Sequence, residues 1–144
     1  MAARLRGLHA LGLEINPFLA FAARVKTQFC YDLPRLQADV AALLVRSLRQ
    51  AGVDAVGMKP ICCGGREDAL ALHTAADGAL ALNDVNPVWL RPPTAPYAAS
   101  LIENRAVDLA LVRETFARVR AAHEALIVEG VGGWRVPITR DFFV

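Results

Sequence analysis

Two short stretches of this chain concentrate residues able to do chemistry. The first, VGMKPICCGGRED over residues 56–68, places Lys59 and Pro60 after a short apolar run, then Cys62 and Cys63, then Gly64 and Gly65, then Asp68. The second, LIVEGVGGW over residues 126–134, ends an apolar run in Glu129 and continues through Gly130, Val131, Gly132, Gly133 and Trp134. An acid at the tip of a buried strand is well placed to hold a hydrated magnesium ion, and a glycine-rich turn lets backbone amides approach a ligand closely. Each of these residues also has a plainer reading. Lys59 could be a solvated lysine leaving a strand, Asp68 a first-turn carboxylate favouring a helix dipole, and Trp134 a packed aromatic.

The cysteines carry less weight. Adjacent cysteines are not the C-x-x-C pair of zinc sites, and Cys30 supplies no second pair, so neither a metal nor a redox role is supported. Three cysteines also give no even disulfide framework, which makes a reducing cytoplasm the expected compartment. His73 and His123 fall on or near helices and are expected to be structural.

Several elements must position the two stretches. With 144 residues, 55% hydrophobic and 21% charged, the chain suffices for one domain with a real core. Residues 1–28 fit two short helical pieces split at Asn16-Pro17. His9, Glu14, Asn16 and Pro17 interrupt the early apolar run, so no export signal is expected. Leu36, Val40, Leu43, Leu44 and Leu48 then recur at helical spacing, ahead of a possible cap at Gly52. Residues 53–58 read as a buried strand and residues 66–74 as a helix with Leu70 and His73 near one face.

Four prolines, at 87, 92, 93 and 96, make residues 83–97 an extended connector, followed by a helix over 98–104. Asp108 is a good N-cap for a helix whose Leu109, Val112, Phe116 and Val119 form a stripe, with Glu114 and Arg118 paired on its outer face. Residues 126–128 read as a second buried strand. This alternation predicts an α/β domain with a parallel sheet, and its carboxyl edge is where ligands bind. A net charge of +2 with scattered arginines argues against nucleic acid, and no apolar stretch approaches the eighteen or so residues of a membrane helix.

Taken in order, VGMKPICCGG, REDALALH, VNPVWLRPPTAPYAAS and LIVEGVGGW resemble the dethiobiotin synthetase family over residues 40–144. The resemblance implies a P-loop NTPase-like three-layer α/β domain with a mainly parallel sheet, and a homodimeric, ATP- and magnesium-dependent ligase of biotin biosynthesis. In the implied reaction carbon dioxide adds to 7,8-diaminopelargonate as a carbamate, ATP phosphorylates it, and the second amine closes the ureido ring. By the same resemblance Lys59 is the active-site lysine that stabilises the carbamate and the transferring phosphoryl group. Asp68 and Glu129 are magnesium ligands, with Asp68 also touching the nucleotide. Gly130, Val131 and Gly132 form the adjoining nucleotide loop, and Cys63 falls where many members place a substrate-contacting serine.

One family feature is absent. Where a phosphate loop of glycines ending in lysine and threonine should precede the helix, residues 30–38 read CYDLPRLQA, with Gln37 and Ala38 at the lysine and threonine positions. The resemblance also implies further strands beyond RDFFV, so that residues 29–144 would be the N-terminal part of the domain, its C-terminal part missing, with residues 1–28 as an extension. A noncatalytic remnant or partner-binding α/β module lacking a working P-loop is the alternative expectation.

Overall fold

The apolar runs at residues 55–58 and 125–128 lie side by side and parallel. A computed structural model describes residues 33–132 and 135–144, with side chains of the first helix described from residue 39. Residues 1–28, Cys30, the side chains of Gln37 and Ala38, Gly133 and Trp134 lie outside the described residues. In chain order the elements are α1 (Leu33–Gln50), β1 (Ala55–Met58), β2 (Ile61–Cys63), α2 (Glu67–Ala75), α3 (Leu82–Val85), β3 (Val88–Leu90), α4 (Pro96–Ile102), α5 (Leu109–Ala122) and β4 (Ala125–Val128).

Local chemistry sets the boundaries. Gly52, at φ +85°, closes α1: its N–H donates to Arg49 O at 2.9 Å while Val53 N donates to Leu48 O at 3.0 Å, the two bonds of a Schellman cap. Asp108 caps α5 as the sequence predicts, Oδ1 accepting from Leu111 N at 2.9 Å. Pro96 opens α4, where its missing N–H costs nothing.

The strands form two parallel pairs, β1 with β4 and β2 with β3. One core cluster joins Ala41 and Val45 of α1, Val56, Cys62, Leu72 of α2 and Val119 of α5; a second joins Ile61, Val88, Leu90, Ala99, Val107 and Ile138. Contact between α2 and β1 is close enough that a Cβ at Gly57 would stand 2.7 Å from Leu72 Cδ2, so any side chain there would have to displace Leu72.

Several expectations are corrected. Ala41 and Val45 face the core, whereas Val40, Leu43 and Leu44 are exposed, because α1 is apolar on more than one side and the larger residues mark the other side. In α2 the buried face is Ala69, Leu72 and Ala75, leaving Leu70 exposed. Residues 83–97 are not one extended connector: they include most of α3, all of β3 and the start of α4, and Pro87 precedes a strand that pairs with β2. In α5, Thr115 and Val119 are the buried residues and Phe116 is exposed, while Arg118 pairs with Asp84 at 2.7 Å instead of with Glu114. Strand β4 is only half-buried, with Val128 exposed, since among the described residues only β1 pairs with it.

Candidate active site

Parallel register brings the two chemical stretches together. Met58 lies opposite Val128, and Glu129 N donates to Met58 O at 2.9 Å, so the next residue of each strand, Lys59 and Glu129, leaves the sheet at the same edge. Both side chains are buried. Lys59 Nζ donates to Glu129 Oε1 at 2.5 Å and to the Gly130 carbonyl at 3.2 Å, and lies 3.0 Å from Asp68 Oδ2. Three acceptors therefore match the three protons of one ammonium. Asp68 enters from the first turn of α2, and its side chain is 32% exposed against 7% for Glu129, so the cluster opens to solvent on the Asp68 side.

Burial opposes the charge on Lys59, but Glu129 and Asp68 together outweigh it and hold its pKa above the ordinary lysine value. For Glu129, burial dominates the opposing pull of Lys59, and the charge of Asp68 adds to it, so its pKa stands above the ordinary carboxyl value. Its second oxygen, Oε2, is buried and has no hydrogen-bond partner among the described residues. An unpartnered buried carboxylate oxygen costs about 1–3 kcal/mol or more, which makes it a place where a cation or donor from outside the chain would be welcome.

Beyond Glu129 the turn is open. Gly130 and Gly132 are exposed, and a Cβ at Gly130 would meet nothing within 4 Å, so internal packing does not demand glycine there. Val131 instead packs against the second core cluster. The cysteines of β2 diverge by strand alternation. Cys62 belongs to the first cluster, its thiol pushed up to about 12 by burial, with the Lys59 charge acting against that rise. Cys63 packs with Ile61 against the second cluster and feels Glu103, so the structure does not bring its side chain into the Lys59 group.

Two residues not singled out in the sequence stand directly behind the cluster. Asn86 is buried and donates to Lys59 O, and Arg66, just ahead of α2, donates to Asn86 Oδ1. The segment VNPVWL carries the Asn86 signal, but its asparagine looks like ordinary turn chemistry until its partners are seen. Among the described residues no group of three or more His, Cys, Asp or Glu side chains is arranged to hold a metal. Asp68 and Glu129 are thus the two carboxylates available to an ion here, a number that suits magnesium completing its shell with water and phosphate.

Parallel strands that bring a buried lysine and a carboxylate to one sheet edge, packed against helices, fit an α/β domain of the P-loop NTPase type. The chain belongs to the AAA domain family, whose model matches residues 39–144, a match beginning just after CYDLPRLQA. It is similar to proteins named ATP-dependent dethiobiotin synthetase BioD. That of Akkermansia muciniphila is 48% identical over 99 residues, covering 69% of this chain and 46% of the relative. The Anaeromyxobacter dehalogenans protein is 43% identical over 72% of this chain and 48% of its own length. The Methanococcus vannielii protein is 33% identical over 73% of this chain and 50% of its own length. The chain thus spans about half the length of these relatives. The family resemblance read from the four motifs agrees with these similarities.

Proposed function

We propose that this chain carries the lysine and magnesium side of an ATP-dependent dethiobiotin synthetase, with residues 29–144 as the N-terminal part of that domain and residues 1–28 as an extension. The observation that carries the reading is a buried lysine held between two carboxylates, one of which keeps an unpartnered buried oxygen beside an open glycine turn. The name those relatives carry supports ATP dependence, and 7,8-diaminopelargonate and carbon dioxide are the other substrates that the motif resemblance implies.

In this reading Lys59 places a permanent cation where charge collects, first on the carbamate and then on the phosphoryl group in transfer. Being held charged, it acts as an electrostatic partner and not as a base. Asp68 and Glu129 would hold magnesium, and a bound ion would supply charge neutralisation on the phosphates. The orphaned Glu129 Oε2 fits that assignment. Gly130, where a side chain would meet nothing, opens backbone-lined space for the nucleotide beside Val131 and Gly132, and because the Cys63 thiol turns to the second core cluster, its main chain would be the part that reaches the diamine. When the carbamate has been phosphorylated, attack by the second amine expels phosphate and closes the ring.

The resemblance extends the reading to a homodimer acting on small molecules in the cytoplasm, without nucleic acid or membrane. A net charge of only +2 with scattered arginines speaks against a nucleic-acid partner, and no described helix is long and apolar enough to cross a membrane. The test is an assay of the purified chain with diaminopelargonate, bicarbonate, magnesium and ATP, following dethiobiotin and ADP. Dethiobiotin no higher than in the Lys59→Ala variant sinks the reading. Restoring the loop glycines together with Gln37→Lys and Ala38→Thr should raise turnover if the phosphate loop limits it.

A further inference from the structure

Lys59 and Asp68 meet only if two backbone segments, the end of β1 and the start of α2, are held in register. The side-chain amide of Asn86, 1% exposed, connects them. Its Nδ2 donates to Lys59 O and to Val88 O, each at 2.9 Å. Its Oδ1 accepts from Arg66 Nε at 2.9 Å. Arg66 stands two positions before Asp68, and its Nη2 also donates to the carbonyls of Asn86 at 3.1 Å and Leu82 at 3.3 Å and to Asn83 Oδ1 at 3.2 Å. The intervening loop is fastened as well: the Arg66 guanidinium lies 5.1 Å from the Trp89 ring centroid, and Trp89 Nε1 donates to Gly64 O at 2.7 Å. A second strap, Lys59 N to Val85 O at 2.8 Å, ties the lysine to the end of α3.

We propose that Asn86, gripped by Arg66, is a positioning residue that sets how the Lys59 ammonium meets Asp68. Neither residue touches the ammonium or the carboxylates; they fix the two backbones from which those groups project. Removing the Asn86 amide strips both donors from buried carbonyls and takes from Arg66 its Nε acceptor, so the side-chain link between the Lys59 and Asp68 segments is lost while the backbone strap at Val85 and the other Arg66 bonds remain. Its catalytic consequence rests on the proposed function, but its geometric content does not.

The chain contains two lysines, Lys26 and Lys59, so selective ¹⁵N-lysine labelling of the full chain yields two side-chain ammonium signals at most, and Lys26→Arg assigns them. A buried ammonium with three acceptors exchanges its protons slowly and gives a sharp signal. Asn86→Ala is expected to broaden or displace the Lys59 signal while circular dichroism still reports a folded chain. Arg66→Ala should act in the same direction but less. Arg118→Ala, which breaks only the nearby pair with Asp84, should leave the signal in place.

A folded Asn86→Ala chain with an unchanged Lys59 signal overturns the proposal, because a merely structural residue would lower stability without altering the lysine of the folded population. If Asn86→Ala does not fold, Arg66→Ala decides by the same criterion. Where wild type makes dethiobiotin, kcat of the folded variant should fall about ten-fold or more with KM little changed. Where wild type makes none, the proposed function fails while the ammonium signal still judges Asn86.

Discussion

The two ends of the β1–β4 pair carry similar charges in opposite settings. At the amino end, His123 Nδ1 meets Asp54 Oδ2 at 2.8 Å, Glu124 Oε2 accepts from Asp54 N at 2.8 Å, and Arg49 reaches both Asp54 and Asp77. Asp54 is 47% exposed and Asp77 83%, so water can replace any of these partners. At the carboxyl end Lys59 and Glu129 are buried and leave Oε2 unanswered. Counting charges would not separate the two ends. What separates them is whether each charge has been taken from water, since only there does a missing partner carry a large free-energy cost.

The sharpest way to break this comparison is to cut one partner at each end. Glu129→Ala leaves Lys59 buried with Asp68 as its remaining carboxylate and is expected to cost about 3–5 kcal/mol in urea unfolding and, if the proposed function holds, to abolish dethiobiotin formation. The double change Lys59→Met with Glu129→Leu should recover most of that stability and none of the activity, because no buried charge is stranded. If the double variant is as unstable as the single one, burial of charge is not what distinguishes this end.

A mid-strand change tests whether the site end depends on packing. Gly57→Ala forces a Cβ against Leu72 and should cost about 1–3 kcal/mol by thermal or chemical unfolding. Alkaline titration separates the ends further. Because the folded pKa of Lys59 lies above the ordinary 10.5, its contribution is fully present below that value and is lost as pH rises through the higher folded value. Lys59→Met should flatten this alkaline loss in unfolding measurements, and Arg49→Met should not. Asp54→Asn, at the exposed end, should change stability by about 1 kcal/mol or less, with a difference that shrinks further in high salt, and should leave turnover alone.

Much of the site was legible because its members sit at strand ends, a position the apolar runs announce. Lys59 and Glu129 each follow such a run, and Asp68 falls in the first turn of a helix with evident boundaries. The three-residue strands β2 and β3 were hidden for the opposite reason. Both are bounded by prolines or glycines, so Cys62, Cys63 and Val88–Leu90 read as punctuation, and only pairing with each other makes them strands. The α1 stripe misled because size was taken for orientation: Ala41 and Val45 are small and buried, while Leu43 and Leu44 are large and exposed. Arg66 and Asn86 lie twenty residues apart, and no local pattern joins them. Long-range hydrogen bonds leave little trace in spacing.

The cysteines supply the smallest effect and the finest contrast, because neighbours in sequence occupy different surroundings across one strand. Burial pushes the Cys62 thiol up to about 12, so at pH 8 only about one molecule in ten thousand carries the thiolate that alkylating reagents attack. Cys63 is also raised by burial but is partly exposed. Iodoacetamide applied to the native chain at pH 8 should therefore modify Cys63 ahead of Cys62 in peptide mass spectra, with Cys62 reacting chiefly once urea exposes it. Equal native rates would mean that β2 opens without global unfolding. Since β2 connects Lys59 to the loop before Asp68, that result would also loosen the positioning assigned to Asn86.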